Sequence, residues 1–415
     1  MVNRLMVATA ALATSASANG LLERQGSGAT CDCWQTNGTS ADSYTHYRFF
    51  DYRNIKNVPQ VPALIPADAD AQGTNYPSQG GFVNSTDDFG KFWTTETFTY
   101  LKDADKSNKY EAQASMANVY IQSKDSYSGD YMDDAPDDAI SWLTLRTSRP
   151  DKNFATMSQL TSKDVYVYGT MRFAGRVVGP TGACAGFFSY ALDDGDNNEA
   201  DIEILTKDGA YANGLEVHYT NQPSDINGED SGTSLNSTLV TSFYKWQTHR
   251  FDWRQSATDF YADAGQHKLQ IAKQVPKGDS QLTINMWSTG NDWTDSLAVG
   301  EEAEYHILWI EWAYNTSDTA QATCSNTCQL DSPEVGFLSP SKFADDEVAK
   351  YNGTNQPVAI PSTVDEGQSN GSSTSSTSTS TNSASSSTQT GASSKVVVNS
   401  LLFVGAGMLA AVLAM

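Results

Sequence analysis

"NNEADIEILT", residues 197–206, places Glu199, Asp201 and Glu203 at every second position, with Ala200, Ile202 and Ile204 between them. In a helix, Glu199 and Glu203 would share a face and Asp201 would point away. In a strand, successive side chains alternate, so the three acids fall on one face and the apolar residues on the other. The strand therefore buries alanine and isoleucine in a core and leaves three carboxylates on an open face. Like charges side by side on a strand face are destabilising, so a purely structural origin for the row is unattractive.

Working outward, short aromatic or alternating runs recur between Gly, Asp, Asn and Pro. Downstream and around the acids they are residues 164–178, 214–221, 246–255, 259–265, 281–289 and 303–315, and upstream 44–54, 92–101, 117–123 and 140–148. Runs rich in Val, Ile, Tyr, Phe and Trp with turn residues between them read as strands of an all-β sandwich. No long segment has sustained helical periodicity, and no internal repeat is present. Pairing between upstream and later strands gives one domain over residues 30–345, with loops at 66–91 and 125–138.

Three acids on one strand fit glycoside hydrolysis, in which two carboxylates flank the scissile bond and an oxocarbenium-like transition state needs negative charge nearby. Retaining enzymes hold the pair about 5–5.5 Å apart, yet Cα atoms four residues apart along a strand are roughly 13 Å apart. The sheet must then be concave on this face, with both glutamates leaning over Asp201. Crowding lets one glutamate stay ionised while the other is held protonated. A solvated edge strand and a calcium site are the competing readings. "DDGDNNEAD" is oxygen-rich, but an EF-hand starting at Asp194 would put Glu199 at the obligatory glycine and Leu205 at the closing acid.

"EADIE" resembles the E-x-D-x-E signature of glycoside hydrolase family 16. "FDWRQSATDFYADAG" is similar to that family's strand–turn–strand pair after the catalytic strand, and "INMWSTGNDW" to its later Asn-x-Trp strand. The resemblance covers most of residues 140–315. It implies a concanavalin A-like β-jelly-roll sandwich with a concave substrate-binding face, acting with retention on β-glucans and related polysaccharides. Carried over, it makes Glu199 the nucleophile, Asp201 the assisting residue and Glu203 the acid/base, in the unbulged spacing.

A polysaccharide cleft needs aromatic platforms and a few hydrogen-bonding groups. Trp287 and Trp293 are candidates to stack on a sugar. His218 and Tyr219, on the strand after the acids, are candidates to neighbour the catalytic face, with Asn285, Tyr190 and Phe188 behind them. Trp253, Trp309 and Trp312 are assigned to the core.

The chain has 415 residues and a formal net charge of −23. That acidity argues against a nucleic-acid partner, which needs clustered Lys and Arg. Arg4, the apolar run "LMVATAALA" and "ASA" at 16–18 read as a signal peptide over residues 1–18. Residues 371–394 are nearly all Ser and Thr and read as an O-glycosylated stalk. The stalk and attachment region span 346–394, before an apolar tail at 395–415. Small residues at Asn382–Ala384, a polar spacer and that tail fit a glycosylphosphatidylinositol (GPI) signal, and a tail-anchoring transmembrane helix is the alternative.

Sequons stand at Asn37, Asn84, Asn236, Asn315, Asn352 and Asn370. Export favours disulfides. Cys31 and Cys33 are placed to bridge to Cys324 and Cys328, leaving Cys184 as a buried, inert thiol with no adjacent base. The cysteine spacings do not suit zinc, and no metal or cofactor is expected.

The expectation is a secreted, monomeric, GPI-anchored enzyme on the surface of a walled eukaryotic cell. It would hydrolyse or transglycosylate internal links of a wall β-glucan, its partner being that polysaccharide. The rivals are a lectin-like carbohydrate-binding protein on the same sandwich and a wall adhesin.

Overall fold

The computed structural model describes residues 22–23, 33–36, 42–53, 55–56, 58–66, 88–102, 107–129, 139–263, 266–317, 324–325 and 327–330. The expected signal segment, stalk and apolar tail lie outside these residues, as do the sequons at Asn37, Asn84, Asn352 and Asn370. Most of the two expected loops does too. Among the described residues, no helix is long and apolar enough to cross a membrane. The helical turns Asp88–Phe92 and Asp208–Tyr211 are short.

The strands that build the two sheets are, in chain order, β1 (His46–Asp51), β2 (Trp93–Thr95), β3 (Ser141–Asp151), β4 (Phe154–Ser162), β5 (Val167–Val178), β6 (Cys184–Ala191) and β7 (Glu199–Leu205). They continue with β8 (Glu216–Asn221), β9 (Ser234–Thr238), β10 (Gln247–Trp253), β11 (Thr258–Ala262), β12 (Gln266–Ile271), β13 (Ser280–Trp287) and β14 (Glu302–Asn315). The fold is all-β, an antiparallel sandwich of the jelly-roll kind.

One sheet runs β2–β4–β13–β6–β7–β8–β9, every pair antiparallel. The other runs β12–β11–β10–β5–β14. The long strand β14 divides its remaining edge, pairing its first half with β3 and its second with β1. A register shift between Ala174 and Gly175 interrupts the β5–β14 ladder. There a Cβ on Gly175 would lie 2.7 Å from the His306 carbonyl oxygen, so the backbones approach closely only because the side chain is missing.

The period-two pattern sets what each face meets. From β7, Ala200, Ile202 and Ile204 enter the core with Phe187 of β6 and Ile284 of β13. Opposite them lie Phe173, Phe251, Phe260, Ile307 and Trp312 of the second sheet. Burying an isoleucine such as Ile202 is worth about 1.5–3 kcal/mol. The core therefore fixes which way β7 faces, since a one-residue slip would drive three carboxyls inward. Trp253, Trp309 and Trp312 are buried as expected.

The second sheet also buries much of its outer face. Trp34, Tyr44, Tyr47, Phe49, Trp142, Trp246, Trp309 and Leu330 form a separate cluster with Ala174 there. Strand Cys33–Gln35 pairs in parallel with Thr327–Gln329, and a Cys33–Cys324 disulfide joins the same segments. The second expected bridge falls on Cys31, which lies outside the described residues.

Candidate active site

Strand register carries the acid row into a surface. Glu203 stands opposite Gly186 of β6 and His218 of β8. Continuing sideways, Gly186 pairs with Asn285 and His218 with Asn236. The next row holds Thr283, Phe188, Asp201 and Thr220, and Tyr190 stands opposite Glu199. The acids thus occupy the open face of the first sheet, beyond β6 and β13.

Glu199 and Asp201 are buried, and Glu203 is the most exposed of the three. Asp201 Oδ2 accepts a hydrogen bond from Gln222 Nε2 at 3.2 Å. Asp201 Oδ1 is buried with no N–H or hydroxyl donor against it, and Asp201 makes a side-chain hydrogen bond with Glu199. Two carboxylates have no donor between them, so that bond exists only while one of them carries a proton. Burial first, and the Glu203 charge second, hold the Asp201 carboxyl well above the usual carboxylate range.

Glu203 is positioned by its own set of donors. Oε1 accepts from Trp293 Nε1 at 3.1 Å and from Cys184 Sγ at 3.3 Å. Burial raises the Glu203 pKa, against the opposing pull of the Cys184 thiol, the His218 ring and the Trp293 indole. Burial and the neighbouring Glu203 charge push the Cys184 thiol up as well, which keeps it protonated and able to donate. Trp293 is in turn held edge-on by His218, with ring centroids 4.9 Å apart. His218 Nε2 lies 2.8 Å from Asp208 Oδ2.

The sequence-predicted residues divide accordingly. Glu199, Asp201, Glu203, His218, Trp293 and Asn285 come together on one face. Asn285 is almost fully buried beside Gly186, and neither its amide nitrogen nor its amide oxygen has a partner. Buried amides are almost always satisfied, so Asn285 is a polar group at the floor of the site with its hydrogen-bonding capacity unspent. Phe188 and Tyr190 line the same face.

Tyr219 does not belong to this face. It pairs with Ile202, and alternation turns it with Ile202 into the core, where it stacks on Phe260 at 4.6 Å. Trp287 is a second correction. It stands on the acid side but is buried among Tyr110, Met157, Cys184 and Leu205, so no ring face is left open to stack on a sugar.

Sequence reasoning missed three supporting residues: Cys184, Gln222 and Asp208. Cys184 is buried as expected, but a carboxylate does lie against it. The only available signal was alternation along β6, which puts Cys184, Gly186, Phe188 and Tyr190 on one face. The register that brings this face beside Glu203 is set by contacts distant in sequence. Among the described residues, Asp208, Glu216 and His218 offer donor atoms within 4.8 Å of one another, close enough for a cation. That trio is separate from the oxygen-rich stretch 193–201.

No family model matches the sequence, and no curated protein does. Solved structures similar to the chain include a Bacillus licheniformis β-glucanase, at 19% identity over 54% of this chain and 92% of that one, TM-score 0.40. The laminarinase catalytic domain of Thermotoga maritima matches at 15% identity over 56% and 95%, TM-score 0.42. A Bacteroides ovatus GH16 protein in complex with an oligosaccharide product matches at 16% identity over 54% and 94%, TM-score 0.37. Likeness at this level carries no argument about activity, which has to be reasoned from the site itself.

Proposed function

We propose that the protein is a retaining, endo-acting hydrolase or transglycosylase of cell-wall β-glucans. The observation that carries this reading is the row of Glu199, Asp201 and Glu203 on one open sheet face, with Asp201 buried and hydrogen-bonded to Glu199. In this reading Glu199 is the nucleophile and Asp201 the residue that assists it. Glu203, its pKa raised by burial, is the general acid.

In the first step a Glu199 oxygen bonds to the anomeric carbon, the glycosidic C–O bond breaks, and Glu203 delivers its proton to the departing oxygen. In the second step Glu203, now a carboxylate, takes a proton from the incoming hydroxyl as that oxygen displaces Glu199. Water gives hydrolysis, and a sugar hydroxyl gives transglycosylation. Asp201, hydrogen-bonded to Glu199, orients the nucleophile. Asn285 and His218 stand where hydroxyls of a bound sugar chain would lie, and Trp293 braces Glu203.

The test is the pair Glu199→Gln and Glu203→Gln, assayed on β-1,3-, mixed-link and chitin-type glycans. Each should lower turnover by roughly a thousandfold or more while retaining glycan binding. Undiminished turnover in either variant would falsify the assignment, and a wild-type chain that binds glycans without cleaving them would favour the lectin-like reading. A labelled oligosaccharide mixed with acceptor separates the two chemistries, because longer products arise only by transfer.

The proposal extends to the ends of the chain: signal cleavage after Ala18, and a GPI anchor attached near Asn382 that holds a monomeric enzyme at the cell surface. Phospholipase treatment should then release it from membranes.

A further inference from the structure

We propose that Asn236 carries an N-linked glycan that closes one end of the groove. Asn236, Ser237 and Thr238 form a sequon inside β9. Among the described residues β9 pairs only with β8, so it is the edge of the sheet. Asn236 is exposed there. Its amide nitrogen donates to Glu216 Oε1, and an N-glycosylated asparagine keeps one N–H, so that bond survives attachment.

The other described sequon differs. Asn315 donates to the Ser43 carbonyl at 3.1 Å and accepts from the Thr45 amide at 3.1 Å and the Thr45 hydroxyl at 3.2 Å. It ties the end of β14 to the segment before β1, whereas Asn236 stands on an open edge.

Position gives the glycan its consequence, which rests on reading the acid face as a polysaccharide groove. Asn236 stands opposite His218, and His218 opposite Glu203. Two strand spacings put it about 10 Å from Glu203 across the sheet. A sugar chain crossing the strands between Glu199 and Glu203 meets that glycan on the β9 side. Toward β2, four strands of the same sheet extend without such a barrier. The glycan would limit how much of a long chain passes beyond the acid/base on the β9 side.

The experiment uses the full chain secreted from a eukaryotic host. Peptide mass before and after enzymatic deglycosylation reads occupancy at Asn236. Asn236→Gln and Thr238→Ala both remove the sequon, and the second leaves the Asn236–Glu216 bond in place. The expected result is a glycopeptide at Asn236 in the wild type and its loss in both variants. The ratio of activity on polymeric β-1,3-glucan to activity on a short oligosaccharide should rise severalfold in both, with the short-substrate rate unchanged. An unmodified Asn236 peptide overturns the site. An occupied Asn236 with the same length preference in wild type and variants overturns the closure. A chain that carries the glycan but cleaves no β-glucan would sink the functional reading and leave the modification site standing.

Discussion

Glu203 Oε1 takes two donors of unequal strength, an indole N–H and a thiol. Both favour the carboxylate over the acid. Replacing Cys184 with alanine removes one of them. With Glu203 as the proposed general acid, the alkaline limb of the kcat/KM profile would follow loss of its proton and should then move to higher pH. In the same variant kcat should fall by roughly tenfold, the worth of one hydrogen bond to a charged group, while KM changes little. An unmoved alkaline limb would reduce Cys184 to a packing residue. The acids themselves were legible in sequence because their spacing has meaning without knowledge of any partner strand. Cys184 was not, because its role depends on lying next to Glu203, 19 residues further along the chain.

Strand β6 is the element that brings these residues together. It lies between β7 and β13, and Gly186 at its middle leaves the floor of the site low. A Cβ at this position would come within 2.6 Å of Asn285 Oδ1. The obstacle is the end of a side chain, so Gly186→Ala should fold with Asn285 pushed aside. Activity should drop by about tenfold or more from misplacement at the site, with the melting temperature nearly unchanged. A large fall in melting temperature with full specific activity would contradict this account of the glycine. Composition and alternation were enough to locate these strands, but not to order them. The exclusion of Tyr219 shows the limit: its place in a strand was readable, whereas its face depended on pairing with Ile202.

Across the whole molecule, titration pulls stability in two directions. His249 is buried against Phe173, with neither ring nitrogen partnered, and burial pushes its pKa down to about 4 from 6.5. Between those values the unfolded chain takes up a proton that the folded chain refuses, so stability is lost as pH falls through the window. The loss approaches about 3 kcal/mol by pH 4. Asp201 and Glu203 have the opposite sign. Their raised pKa values favour the folded chain below the ordinary carboxylate range, and that advantage fades as pH rises through the raised values. His249→Phe keeps an aromatic ring against Phe173 and removes the titration, so the fall in melting temperature between pH 6.5 and 4 should shrink. A fall as steep as the wild type's would place its origin elsewhere, with His306, also shifted down by burial, next to be tested.

The Cys33–Cys324 clasp and Leu330 lie over the outer face of the second sheet, where Arg172 reaches the Leu330 carbonyl. The last described residues therefore leave from the back of the sandwich, with the acid row on the front. Any load hung on the chain beyond Leu330 pulls on the rear, and the disulfide and outer aromatic cluster bear that force before the groove strands do. A molecule tethered that way would turn its working side outward, toward whatever polymer surrounds it.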